Sequence, residues 1–317
     1  MVHPGCSLLG AAADLDRAWS REDYEGPVAR WCSGCGDHSV LSAVQRLLEA
    51  EQLPPEQTVF VSGIGCSSRF PHYLTTYGFH GLHGRALPVA TGVKLRRPDL
   101  HVFAVMGDGD CCSIGAGHWI HTVRYNPDIV AIMLDNGVYG LTKNQTSPTS
   151  PKGTRSNTQP RGAWLDAMNP IATTLGVANA SFVAQTGDWV PDHIYETLRA
   201  AFHHRGFAFV RILQRCPQYT DQLFAEAVRD PARVQLLVHP DGIRAPQVER
   251  LFPGHLTHDP ADLAAAFRLA QPDGHVRLGL FYRNEAVPVY EEVRRAAPYS
   301  AADKVRLLEE ELDIYAV

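Results

Sequence analysis

Between residues 58 and 214 one pattern recurs: a short β-branched or aromatic run that often stops at Gly or Asn, then enough sequence for a helix. The runs are TVFVSGIG (58–65), HVFAVMGDG (101–109), DIVAIMLDN (128–136), ASFVAQ (180–185) and FAFVRILQ (207–214). Helix-like stretches flank or separate them: SVLSAVQRLLEAEQ (39–52), SIGAGHWIHTVRYN (113–126) and WVPDHIYETLRAAFHH (189–204). Such alternation predicts an α/β fold, a mostly parallel sheet flanked by helices on both faces. Open sheets of this kind hold their ligands outside the carboxyl ends of the strands. The Gly-rich polar residues of this chain follow strand ends.

Three segments are expected. Residues 1–30, with Pro4, Gly26 and Pro27, read as an N-terminal arm, residues 31–236 as the main domain, and 237–317 as a C-terminal extension. The extension carries a strand candidate, HVRLGLFYRN (275–284), and a helix from Ser300 whose Ser-x-x-Asp start resembles a capping box. The longest stretch without periodicity is 142–163, rich in Ser, Thr, Pro and Asn, and is expected to be a functional or mobile loop.

Composition excludes more than it selects. A net charge of −5 and a pI near 6.3 give no electrostatic case for nucleic acid or a membrane surface. No apolar run approaches a bilayer span. The N-terminus has no basic region before its short apolar patch, so no signal peptide is read and a cytoplasmic address is expected. Seven cysteines in such a chain call for an explanation other than disulfides.

Gly107-Asp108-Gly109-Asp110 ends one strand and Asp135-Asn136-Gly137 ends the next. Mg²⁺ takes about six oxygens in near-octahedral geometry and shares them with phosphates. The Asp108 carboxylate, the Asn136 amide oxygen and the Val138 carbonyl can supply three. Glycines beside Asp108 let backbone approach phosphates, and the following helix offers free N–H groups. Asp-Gly and Asn-Gly are also ordinary turn dipeptides. Their placement on consecutive strands of one pattern favours the metal.

Cys32-Ser33-Gly34-Cys35 is a C-x₂-C, while Cys66 and Cys216 each follow a strand. Four thiolates from separate segments suit a [4Fe–4S] cluster or a Zn²⁺. A single knuckle rather than two, and the Pro after Cys216, lean toward iron and sulfur.

GDGD followed by DNGVYG resembles the thiamine-diphosphate motif. Together with WCSGCGD, GIGCSS, HGLHGRALPVATGVKL and DNGVYGLTKNQTSPTS, it resembles the β subunit of 2-oxoacid:ferredoxin oxidoreductases over roughly 28–225. The resemblance implies a pyrophosphate-type cofactor domain, with Mg²⁺ on Asp108, Asn136 and Val138 and one [4Fe–4S] cluster on Cys32, Cys35, Cys66 and Cys216. It implies cofactor contacts at Ile64, Gly65, Cys66, Ser67, His83, Gly84, Gly107, Asp108, Gly109, Asp110, Asn136, Val138, Tyr139, Gly140, Leu141 and Thr142. It also implies oxidative decarboxylation of a 2-oxoacid, electrons passing singly to ferredoxin and the acyl group to coenzyme A, reversible toward CO2 fixation. A Glu that the cofactor requires is expected on a partner α (or fused γ-α) chain, giving a dimer of heterodimers. Cys6 has no role in this scheme, and Cys111 and Cys112 are expected to be buried.

Arg69, three residues after Cys66, offers a fork that suits a carboxylate. A surface or phosphate-contacting Arg is the alternative. His83 is expected to face the reactants, and His80 to face them or to pack. His72, His118 and His121 are read as structural, and Lys143 as reaching substrate or solvent. GDGD and GLTKNQ lean toward 2-oxoglutarate over pyruvate, with a broad-specificity enzyme as the near rival. A non-redox thiamine-diphosphate enzyme and a zinc-stapled structural subunit are the other readings.

Overall fold

The structure is a computed structural model that describes residues 17–294 and 300–315. In chain order its strands are β1 (Thr58–Ser62), β2 (Tyr77–His80), β3 (His101–Gly107), β4 (Ile129–Asp135), β5 (Val138–Tyr139), β6 (Gln145–Thr146), β7 (Phe182–Gly187), β8 (Phe207–Leu213), β9 (Val234–Val238), β10 (Gly254–Thr257) and β11 (Val276–Arg283). Apart from the small β5–β6 hairpin they form one nine-stranded sheet, ordered β10-β9-β11-β7-β8-β4-β3-β1-β2. Every neighbouring pair in it is parallel except β11 with β7.

Burial on both faces explains why the central strands read as near-continuous apolar runs. Side chains alternate across the sheet. Phe103 and Val105 of β3, with Ile132 and Leu134 of β4, meet α1 (Asp37–Ala50). Val102, Ala104 and Met106, with Ala131 and Met133, face the other way, toward α2 (Ala86–Arg96), α3 (Ala116–Tyr125) and α4 (Pro170–Leu175). Helix α5 (Pro191–Phe202) joins α1 on the first face through Ile194 and Leu198. Fully burying a side chain of this size contributes about 1.5–3 kcal/mol. Trp119 on α3 and Phe209 on β8 stack with both side chains fully buried.

The expected boundary at 236/237 falls inside β9, and β9, β10 and β11 continue the main sheet. The part of the 1–30 arm that is described packs against the body. Tyr24 is fully buried, and its hydroxyl donates to the Leu48 and Leu53 carbonyls. Residues 1–16, including Cys6, lie outside the described residues. The capping box forms as expected: Ser300 and Asp303 cap α6 (Ala301–Ile314) reciprocally. No helix among the described residues is long and apolar enough to cross a membrane.

Two buried histidines give the fold a pH limit. His193 and His204 are 3% and 5% exposed and hydrogen-bond to hydroxyls, Thr186 and Ser181 respectively. Burial pulls each imidazole down to about 4. Between roughly pH 6.5 and 4 the unfolded chain therefore binds protons that the folded chain excludes. Stability is full above the unfolded value and falls as pH drops toward the folded one, by up to about 3 kcal/mol per group. The expected result is a steep loss of thermal midpoint across this window. His193→Gln should flatten it by about one proton, read from the slope of unfolding free energy against pH; an unchanged slope would show that His193 does not titrate this way.

Candidate functional site

Because β2, β1, β3, β4 and β8 are adjacent and parallel, their carboxyl ends share one rim. The segments leaving that rim carry the residues marked by the sequence. One cavity opens there, walled by 64–67 after β1, His83 after β2, 107–110 after β3, and Asn136 and 138–142 after β4. Every expected cofactor contact except Gly84 lies in this wall. Gly84 stands just behind it, at φ +70°, with its N–H donating to Asp110 Oδ1 at 2.7 Å. Gly109 leaves room for the Tyr139 ring: a Cβ there would sit 2.1 Å from it, and the Tyr139 hydroxyl donates to the Gly109 carbonyl.

Asp108 is 2% exposed. Ser147 and Thr149 both donate to its Oδ2, Thr149 at 2.7 Å, so neither hydroxyl occupies Oδ1. Burial first, then the nearby Asp135 carboxylate, pushes Asp108 up to about 7, against the pull of those two hydroxyls. Asp135 is itself neutralised by Arg211, whose Nε donates to Oδ2 at 2.7 Å. A cation bound beside this carboxylate would favour its charged form and offset the cost of burying it. Asn136 Oδ1 accepts the Val138 N–H at 3.1 Å, which turns that oxygen toward the Val138 side of its own turn. An acid oxygen, an amide oxygen and a main-chain carbonyl on one wall make a donor set suited to Mg²⁺.

The 142–163 stretch divides in two. Ser147, Thr149 and Ser150 are buried and brace the metal-side turns, with Ser150 donating to the Gly137 carbonyl at 2.6 Å. Its exposed part runs on to Trp164 and Leu165, 71% and 59% exposed. The sequence carried no sign of roles for Ser147, Thr149 or Arg211, and Asp135 was visible only as the first residue of the Asp135-Asn136-Gly137 turn; a polar run directly after a metal-binding Asn was the one available hint.

His83 lies in the wall, and its Nδ1 is 2.5 Å from Asp110 Oδ1. That same oxygen accepts from the backbone N–H groups of Ile64 and Gly84. Being an acceptor twice over, it requires a donor at Nδ1, which leaves Nε2 as the ring's acceptor.

The cysteines gather beside the cavity. A Cβ on Gly140 would be 3.8 Å from Cys66 Sγ and 3.9 Å from Cys216 Sγ. Cys35 N–H donates to the Cys32 carbonyl, and Gln214 Nε2 reaches Cys35 Sγ at 3.3 Å. Burial, then Asp37, then the thiols of Cys216 and Cys32, push Cys66 up to about 11; burial and Asp37 raise Cys35 as well. Asp37 is fully buried and is raised to about 7 by burial, against the pull of the neighbouring Cys35 thiol. Thiols in this setting become thiolates when a metal holds them. Among the described residues, no three His, Cys, Asp or Glu side chains converge tightly enough for a single ion. Cys111 and Cys112 are buried in the core, away from this group.

Other expected residues stand outside the wall. Arg69 sits on the 3₁₀ turn Ser67–Tyr73, its Nη1 donating to the Arg30 carbonyl at 3.1 Å and its guanidinium over the Tyr73 ring. His80 packs, with Nδ1 2.7 Å from the Ser68 carbonyl. Lys143 is exposed.

Comparison with known proteins bears out the fold and identifies the family. The family "Thiamine pyrophosphate enzyme, C-terminal TPP binding domain" matches residues 63–212, and the family of the C-terminal part of the pyruvate ferredoxin oxidoreductase beta chain matches 248–297. A 2-oxoacid:ferredoxin oxidoreductase β subunit from Sulfolobus sp is 40% identical over 83% of this chain and 84% of its own. This chain belongs to the 2-oxoacid:ferredoxin oxidoreductase β-subunit family. The 2-oxoglutarate oxidoreductase subunit KorB of Mycobacterium tuberculosis is 46% identical over 66% of this chain, a match that spans only 56% of the relative. A solved 2-oxoglutarate:ferredoxin oxidoreductase from Magnetococcus marinus, with 2-oxoglutarate, coenzyme A and succinyl-CoA bound, superposes with TM-score 0.77. It is 34% identical, covering 91% of this chain and 96% of that one.

Proposed function

We propose that this chain is the thiamine-diphosphate subunit of an enzyme that converts 2-oxoglutarate, coenzyme A and oxidised ferredoxin to succinyl-CoA, CO2 and reduced ferredoxin, reversibly. The observation that carries the reading is the joining of two donor sets on one rim: Asp108 and Asn136 on the cavity wall, and four cysteines beside it. Asp108, Asn136 and the Val138 carbonyl would hold Mg²⁺, and the cavity would take thiamine diphosphate. Cys32, Cys35, Cys66 and Cys216 would hold one [4Fe–4S] cluster. One C-x₂-C knuckle with two separate strand-end cysteines suits a [4Fe–4S] cluster better than a two-knuckle zinc site.

Bound thiamine diphosphate supplies the carbon nucleophile and electron sink for decarboxylation. The chain's own residues do the positioning. Asp108 and Asn136 would hold the Mg²⁺ that carries the diphosphate end, and His83, a residue of the cavity wall, would have Nε2 free to accept a proton. The cysteines place an electron acceptor beside the same cavity, which a non-redox thiamine enzyme has no use for. The exposed Trp164 and Leu165, next to the cavity-side loop, suit contact with an α (or fused γ-α) partner that completes the site in a dimer of heterodimers. Ferredoxin is the electron partner and the cytoplasm the expected location.

Arg69 remains the candidate for the distal carboxylate of the substrate. Its hydrogen bond is to a neutral carbonyl, and it forms no ion pair among the described residues, so the cation is available to an anionic substrate at modest cost. In the assembled enzyme, a panel of 2-oxoacids with coenzyme A and a low-potential dye should show 2-oxoglutarate preferred. Arg69→Met should then raise KM for 2-oxoglutarate far more than for pyruvate, the loss corresponding to roughly 2–5 kcal/mol. Equal losses for both substrates would assign Arg69 to the shared carboxylate or the phosphates.

A further inference from the structure

The last residues paired between β4 and β8 are Asp135 and Leu213, so Asn136 and Gln214 are the first to leave the sheet on adjacent parallel strands. Their side chains meet there: Asn136 Nδ2 donates to Gln214 Oε1 at 2.6 Å. Gln214 Nε2 in turn donates to the Arg215 carbonyl at 2.6 Å and to Cys35 Sγ at 3.3 Å. Gln214 is 1% exposed. Donor and acceptor roles along this chain are forced. Asn136 Oδ1 accepts from the Val138 N–H, so its Nδ2 must face Gln214. Turning the Gln214 amide over would set its oxygen against a carbonyl oxygen and a sulfur, an acceptor against two acceptors.

We propose that Gln214 is a positioning residue that couples the cofactor's metal site to the cysteine site. On one side it fixes the Asn136 amide, whose Oδ1 would then be free to ligate Mg²⁺; on the other it donates an N–H to the Cys35 sulfur. The inference rests on the two-centre reading above and extends it to a residue that touches neither cofactor nor substrate. Two consequences follow from its two ends. Partners that orient a metal ligand typically govern metal affinity 10–100-fold when removed. Hydrogen bonds to cluster sulfurs are among the determinants of reduction potential; they stabilise the more negative, reduced state and so raise the potential.

The test uses the enzyme assembled with its partner subunit, and two variants with different ends altered. Gln214→Leu removes both contacts. Thiamine diphosphate with Mg²⁺ should bind roughly 10–100-fold more weakly by equilibrium dialysis. Iron content should hold at the wild-type level, because no thiol is touched, while the potential from a redox titration moves negative. Gln214→Glu keeps an oxygen toward Asn136 but loses the N–H toward Cys35. Its cofactor affinity should stay near wild type while its potential falls at least as far as in Gln214→Leu.

Gln214→Leu moving neither quantity would leave Gln214 as packing; the two variants moving both quantities alike, or Gln214→Leu moving only one of them, would overturn the coupling. Loss of iron from both variants would do the same. A wild-type enzyme that holds neither iron nor thiamine diphosphate would overturn the functional reading itself, and the coupling with it.

Discussion

Asp108→Ala is expected to weaken thiamine diphosphate and Mg²⁺ together, by on the order of 100-fold or more, since even groups one step removed from a metal cost 10–100-fold. The diphosphate would already use its own oxygens on the cation and so cannot also supply the carboxylate's. Asp135 cannot substitute either, being paired with Arg211 and braced by Thr149. The apo-protein should respond in the opposite sense. Asp108 is buried and pushed up to about 7 by burial and by Asp135, so without a cation its charge is unfavourable to the fold. Asp108→Asn keeps the shape and an oxygen for Ser147 and Thr149, and should leave the apo thermal midpoint level or higher. Cofactor binding by dialysis and unfolding by calorimetry read the two quantities separately. Unchanged affinity in Asp108→Asn and Asp108→Ala would remove Asp108 from the metal; lower affinity with equally lower apo stability would make it a structural residue.

Cys216→Ser carries the second large effect. Cys216 leaves β8 three residues after its last paired residue, Leu213, and its sulfur sits beside Gly140 together with that of Cys66. Serine offers a hard hydroxyl in place of a soft thiolate and is a poor ligand for iron–sulfur chemistry. Iron content and broad visible absorbance should fall to a small fraction of wild type, and reduction of a low-potential dye with them. Cys32→Ser, Cys35→Ser and Cys66→Ser should behave alike. Cys111→Ser and Cys112→Ser should keep their iron, since both thiols lie in the core beneath the phosphate turn, Cys112 against Met133. Full iron in Cys216→Ser would send the fourth ligand elsewhere in the chain.

Local chemistry was legible in the sequence wherever a residue and its role lie within a few positions. GDGD, DNG and GIGCSS each end a strand, and hydrophobic patterning locates strand ends, so the rim that carries the cavity was legible, while the individual wall residues were named by the family resemblance. The capping box at Ser300 was legible for the same reason: both partners fall within one helical turn.

Pairings between distant segments were not legible. The expected extension from 237 instead begins inside β9 and adds β10 and β11 to the main sheet, because a long-range pairing such as β11 on β7 leaves no local sign in either strand. The 142–163 loop read as uniformly polar, yet Ser147 and Thr149 are core-like, since a buried carboxylate gives buried hydroxyls a partner. Arg69 showed its chemistry but not its direction, which the Arg30 carbonyl and the Tyr73 ring set.

By itself, then, the sequence determined which residues could bear metal, sulfur and phosphate, through side-chain type and strand-end position. Only the tertiary structure decided that β4 and β8 are neighbours. Asn136 and Gln214 are 78 positions apart in the chain, and Gln214 and Cys35 are 179 apart. Sheet order is fixed by burying both faces under helices, a requirement of the whole chain, and no short stretch of residues carries it.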